Sequence, residues 1–165
     1  MPFDALCAAP GLGPAKAASL LAAAEIGRRL ASRPLRPGDV IRSPADVHRH
    51  FHQRLRDARR EHFMVLLLDG RHRVMRESRI SEGTLTASLV HPREVFRAAV
   101  QAAAAAIVLV HNHPSGDPSP SPEDADVTRR LVAAGQVVGI QVLDHVIVAD
   151  EGFHSFKENG GLVRG

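Results

Sequence analysis

Two histidines separated by one residue, His111 and His113, are followed by Asp124 in the stretch His111-Asn-His-Pro-Ser-Gly-Asp-Pro-Ser-Pro-Ser121-Pro-Glu-Asp124. Imidazole and carboxylate groups both suit zinc, and three protein ligands leave a fourth position for water, as catalytic rather than structural zinc sites do. Zinc at such a site would lower the pKa of its water from ~15.7 toward ~7 and so produce hydroxide near neutral pH. Nearby carboxylates compete for the third place. Asp117 lies only four residues from His113, and Asp126 faces roughly the other side of a helix from Asp124. The order of preference is therefore Asp124, then Asp117, then Asp126. The same residues also have a structural reading. Ser121 followed three positions later by an acid is a helix-start signal, with the hydroxyl capping a backbone N–H and the acid favouring the positive helix end. Both readings can hold at once.

Local structure must bring these groups together. Ile107-Val-Leu-Val110 is a short β-branched run of the kind that forms a buried strand. Alternation along that strand sends His111 and His113 the same way from its end, and turns Asn112 the other way into a packing or loop role. Pro114 to Pro120 cannot continue a ladder, because proline lacks the donor and glycine favours a turn. Pro122 then suits the first position of a helix over 122–134, which puts Asp124 in its first turn.

The remaining elements follow from the same periodicities. Residues 14–30 are rich in strong helix formers. Arg33-Pro-Leu-Arg-Pro-Gly38 interrupts helical periodicity and marks a boundary, giving an N-terminal helical segment, 1–37, and a main domain, 38–165. Ser43-Pro44 caps a helix running to about Arg60, with Val47, Phe51 and Leu55 as its apolar stripe. Its histidines, His48 and His52, read as surface residues. Phe63 to Leu68 suits a central strand, Asp69-Gly70 a turn, and Val74 to Ile80 a returning strand. A helix from His91-Pro92 is expected to run through the alanines 102–106. Strands are predicted near 137–142 and 145–148, with a turn at 150–152 and Phe153 to Phe156 pairing back. Alternating helices and strands predict an α/β fold with a mixed β-sheet flanked by helices, preceded by a short N-terminal helical extension.

Composition narrows the class. The 165 residues are 44% hydrophobic and 24% charged, which is ordinary for a soluble globular protein. No apolar run approaches the ~18 residues that a membrane span needs, and the N-terminus lacks a basic segment followed by an apolar signal core. The expectation is a cytoplasmic protein with no membrane association. Cys7 is the one cysteine, which excludes an intrachain disulfide and the paired cysteines of zinc deaminases. Arginines cluster at Arg28, Arg29, Arg33, Arg36 and Arg42 and again at Arg54, Arg56, Arg59 and Arg60. They could contact DNA phosphates, but with no Tyr or Trp to stack on bases a solvated basic surface is the simpler reading. Gly11-Leu-Gly13 looks like the hairpin of a truncated helix-hairpin-helix element, whose amides could approach a phosphate. A linker helix packing on the core or on a second subunit is the alternative.

The pattern H-x-H-x10-D with a serine three before the aspartate resembles the JAMM motif of JAB/MPN metalloproteases and deubiquitinases. More narrowly, His111-Asn-His-Pro-Ser-Gly116, Glu61-His-Phe63, His91-Pro-Arg-Glu94 and Leu143-Asp-His145 resemble the bacterial RadC-like proteins, over about residues 38–157. The resemblance implies a JAB/MPN, cytidine-deaminase-like fold and a Zn2+ hydrolase of peptide or isopeptide bonds, with a protein or peptide as substrate. It implies Glu61 as general base, with Glu77 and Glu82 as competitors, and Ser121 as an oxyanion donor beside its capping role. His145 stands as either a partner of a zinc ligand or a buried structural histidine. The competing functions are a nucleic-acid-associated module with little hydrolytic activity and a JAB protein-binding scaffold. Substrate and oligomeric state are not written in these residues.

Overall fold

A computed structural model describes residues 3–31, 35–55, 58–83 and 90–162, the side chains of 28–31 excepted. The chain divides into two compact units, residues 1–34 and 35–165. The first holds α1 (Phe3–Cys7) and α2 (Pro14–Ala31), on either side of a turn in which Gly11 has φ 82°. The second holds α3 (Pro44–Leu55), β1 (His62–Leu68), β2 (Val74–Glu82), α4 (Pro92–Gln101), β3 (Ala106–Asn112), α5 (Pro122–Val138), β4 (Gln141–Ala149) and β5 (Gly152–Ser155). Among the described residues, no helix is long and apolar enough to cross a membrane.

The five strands form one mixed sheet in the order β2-β1-β3-β4-β5. β1 runs antiparallel to β2 and β3, β3 and β4 are parallel, and β5 returns antiparallel to β4. Parallel neighbours need a crossover, and α5 supplies it. The central strands are buried on both faces, which explains their unbroken apolar runs. On one face Phe63, Val65, Leu67, Ile107 and Leu109 pack under Val95, Phe96 and Ala99 of α4 and Val127 and Leu131 of α5. On the other, Met64, Leu66, Val108 and Val110 pack under Val47 and Phe51 of α3. His111 continues the odd-numbered face of β3, so it emerges beneath α5.

Several element boundaries differ from the sequence expectation. The helix predicted to about Arg60 ends at Leu55, and residues 58–61 are not helical. The alanine run does not prolong α4. Ala102 closes the helix, Ala103 takes φ 51°, and Ala106 already pairs with Leu68 and Gln141. Pairing in the sheet overrides the helical preference of alanine here. Val137 and Val138 belong to α5 rather than to a strand, because the stop signal is Gly139, left-handed at φ 76°, with its N–H on the carbonyl of Gly135. The two short strands predicted after it are one, β4.

Candidate metal centre

β3 and α5 aim the three chemically suggestive side chains at one point. His111 Nε2 lies 3.0 Å from His113 Nε2 and 3.1 Å from Asp124 Oδ1, and His113 Nε2 lies 3.3 Å from Asp124 Oδ2. His111 and Asp124 are buried and His113 is half-buried. Among the described residues this is the one group of three His, Cys, Asp or Glu residues that could hold a metal ion. Asp117 and Asp126 stand outside it. The Asp117 carboxylate accepts the N–H of Ser119 at 2.8 Å, and Asp126 pairs with Arg129. His48 and His52, expected at the surface, are half-buried; their rings meet at a tilt, as do those of His48 and Phe153, at separations of 4.8 and 5.0 Å.

The donor chemistry fits a zinc-like cation. His113 Nδ1 faces the backbone carbonyl of Asp117 at 2.8 Å. A carbonyl can only accept, so Nδ1 carries a proton, and whenever the ring is neutral its Nε2 lone pair is turned toward Asp124. Bonds of ~2.0–2.1 Å in a tetrahedron place ligand atoms about 3.3 Å apart, close to the separations observed. Two imidazole nitrogens and a carboxylate at such distances repel unless a cation or proton lies among them. Burial raises the Asp124 carboxyl, but its close polar contacts with the imidazoles of His111 and His113 outweigh that and hold the group well below the usual carboxylate range. Burial lowers His111 against the opposing pull of Asp124, whereas the Asp124 carboxylate beside it raises His113.

The loop between β3 and α5 is built for this convergence. His113 N–H donates to Val148 O at 3.0 Å, extending the β3–β4 pairing by one residue. Gly116 turns the chain at φ 90°, where a side chain would be strained, and its carbonyl accepts the N–H of Glu151 at 3.1 Å. Ser121 then starts α5 with a complete capping box. Its Oγ accepts Asp124 N–H at 3.1 Å, and Asp124 Oδ2 accepts both Ser121 N–H and Ser121 O–H at 2.8 Å. The capping reading of Ser121 is thus realised, and it orients the Asp124 carboxylate as well.

Glu61 lies beside this cluster. β1 pairs Phe63 with His111, and Glu61 lies just before β1, near the end of β3 that leads into His113. Its charge acts on both imidazoles, although more weakly than Asp124 does. Glu61 also lines a cleft of about 540 Å³ with Arg59, Arg60, Gly83, Pro114 and Ser115. The two competing glutamates are engaged elsewhere. Glu77 pairs with His50 and Arg54 under α3, and those hydrogen bonds lower its pKa to about 2. Glu82 pairs with Arg79 at 3.0 Å.

The sequence profile of the RadC-like JAB domain matches residues 41–162. The chain belongs to that family. It is 57% identical over 157 residues to a UPF0758 protein of Syntrophotalea carbinolica, covering 95% of this chain and 69% of the relative. A UPF0758 protein of Geotalea uraniireducens is 52% identical over 155 residues, with 94% and 68% covered. GSU0386 of Geobacter sulfurreducens, also a UPF0758 protein, is 53% identical over 158 residues, with 95% and 69% covered. None of these names carries an activity.

The motifs that suggested a RadC-like protein now have physical roles. His91 caps α4, its Nδ1 accepting Arg93 N–H at 3.1 Å, with Pro92 at the helix start. Asp144 is buried, which raises its pKa, and it accepts Ser155 O–H, His145 N–H and Lys157 N–H at 2.6, 2.7 and 3.0 Å. It thereby holds the turn after β5 against β4. His145 is wholly buried between Phe63 and Phe156, and its Nε2 lies 2.8 Å from His111 Nδ1. Both expected features are observed, the burial and the contact with a candidate ligand. Thr128 escaped the sequence reading, and Asn112, expected in a packing or loop role, has a more specific one. Thr128 touches His145 Nδ1 at 2.6 Å, and Asn112 bonds to the backbone on both sides of Glu61. Thr128 sits one helical turn beyond Asp124, a spacing that could have drawn notice, whereas no local signal marks Asn112.

Proposed function

We propose that this RadC-like protein is a zinc-dependent hydrolase of peptide or isopeptide bonds, with His111, His113 and Asp124 as the metal ligands. The observation that supports this most directly is the meeting of His111 Nε2, His113 Nε2 and the Asp124 carboxylate at 3.0–3.3 Å, at a strand end where two of the three are buried. Zinc, when bound, would activate a water toward attack and polarise the carbonyl of the scissile bond. Glu61 accepts a proton from the attacking water and delivers it to the leaving nitrogen, a role supported by the action of its charge on both His111 and His113. The Ser121 hydroxyl, at the entrance to α5, would turn from Asp124 Oδ2 to donate to the carbonyl oxygen as negative charge builds there. The cleft running from Glu61 past Arg59 and Arg60 gives a substrate chain room beside these groups.

Metal analysis of the purified chain, followed by profiling on peptide and isopeptide libraries, tests the reading. One zinc per chain is expected, with cleavage that stops on chelation and returns on adding zinc. A chain that takes up no divalent ion, or one that loads zinc and cleaves neither bond type, overturns it.

A further inference from the structure

We infer that Thr128 is a positioning residue that sets the proton order of two buried histidines, and so decides which nitrogen His111 offers to a metal. This rests on the proposed ligand roles of His111 and Asp124. Three short contacts run in series. His111 Nδ1 lies 2.8 Å from His145 Nε2, His145 Nδ1 lies 2.6 Å from Thr128 Oγ1, and Thr128 Oγ1 lies 2.6 Å from the backbone carbonyl of Asp124. His111 and His145 are 0% exposed and Thr128 is 1% exposed, so water cannot supply alternative partners.

The end of the series fixes its direction. A carbonyl oxygen only accepts, so the Thr128 hydroxyl donates to Asp124, as helical threonines commonly do toward the carbonyl four residues back. With its one proton committed, Oγ1 must accept from His145 Nδ1–H. A neutral His145 then has a bare Nε2, which accepts from His111 Nδ1–H. His111 is left with its lone pair on Nε2, the atom that faces His113 and Asp124. The reverse order would leave two oxygens 2.6 Å apart with no proton between them, and would point a His111 N–H into the ligand cluster. Only the forward order gives each of the three contacts one proton.

The arrangement is a closed ring through α5. Asp124 contributes its carboxylate to the cluster and its carbonyl to the end of the series, while Thr128, one turn on, joins the two. A displaced helix start would therefore disturb both the carboxylate and the imidazole at once. Groups that orient metal-bound histidines in this way typically change metal affinity by 10–100-fold when removed.

Long-range 15N NMR of the full, metal-free chain reads the tautomers directly. The expected result is a proton on Nδ1 and a bare Nε2 for both His111 and His145. A proton on Nε2 of His145 would overturn the inference, even if the chain binds zinc normally. Zinc affinity by chelator competition is the second arm. Thr128→Val, which keeps shape and removes the hydroxyl, should weaken zinc binding 10–100-fold, and Thr128→Ser should stay within a few-fold of the native chain. Native affinity in the valine variant also overturns it. Failure of the native chain to bind zinc would sink the hydrolase reading instead, leaving the tautomer measurement to decide this one.

Discussion

The Asn112 side chain grips the backbone on both sides of Glu61, its Oδ1 accepting His62 N–H at 2.8 Å and its Nδ2 donating to Arg60 O at 3.2 Å. Asn112 sits between the two candidate histidine ligands, so the strand that presents them also anchors the candidate base. Strand alternation correctly turns it away from the ligands, but what it meets there is the start of β1. Asn112→Ala should release the segment and leave the His62 N–H without its partner. A misplacement of about 1 Å can cost ~10² in rate. Turnover is expected to fall about 10- to 100-fold on a substrate found by profiling, with zinc stoichiometry unchanged. Full activity in the variant would show that Glu61 does not depend on this clamp.

Glu61→Gln separates a base from a ligand. The amide keeps the size of the side chain but cannot take a proton, so hydrolysis should drop by ~10²–10⁴ while zinc content stays at the native level. Loss of zinc would make Glu61 a fourth ligand. Unchanged turnover would send the search to another base, and neither Glu77 nor Glu82 is well placed, given their pairing with Arg54 and Arg79.

Chemistry carried by local order was legible in the sequence. The apolar run before His111, the proline-glycine loop and Ser121-Pro122 specify a strand end, a reversal and a helix start, and those three features alone bring His111, His113 and Asp124 together. Contacts between distant residues were not legible from periodicity, and His145 as the partner of a ligand stood only as one of two alternatives. Asn112 reaches His62 across fifty positions and His111 reaches His145 across 34, and no local periodicity encodes either pairing. Boundary errors have a similar origin. The alanines 102–106 favour helix in isolation, but Ala106 is taken by β1 and β4 on either side, and a competition settled by sheet pairing is invisible to propensity. Val137 and Val138 misled in the opposite sense, since β-branched residues were read as strand before the glycine that ends the helix.

Ser121 has an observed structural role and a proposed catalytic one, and substitution by glycine can part them. Glycine serves as an N-cap at a cost of only a few tenths of a kcal/mol relative to serine, whereas alanine costs about 1 kcal/mol. Ser121→Gly should therefore unfold at nearly the native denaturant midpoint while losing ~10² in turnover if the hydroxyl supports the oxyanion. Ser121→Ala should show the same loss of turnover with lower stability. If turnover instead follows stability across the two variants, Ser121 is a cap and nothing more.

The ion pair under α3 makes a prediction about pH that is independent of any metal. Glu77 accepts hydrogen bonds from His50 Nε2 at 3.0 Å and Arg54 Nη2 at 2.6 Å, while His50 Nδ1 accepts Leu35 N–H at 2.8 Å. These contacts tie α3 to β2, and with Glu77 33% and Arg54 41% exposed their worth must be discounted for solvent screening. Glu77→Gln should cost about 1–2 kcal/mol at neutral pH. Because the folded-state pKa is lowered from 4.5 to about 2, the unfolded chain takes up this proton first as pH falls. The contribution is present in full above the ordinary glutamate value, shrinks through the interval down to about 2, and is gone below it. Denaturant titrations of the native chain and the Gln variant should differ by a constant amount from pH 7 to about 5.5 and converge as pH approaches 2. A gap that persists at the acid end would assign the stability to packing of the side chain rather than to its charge.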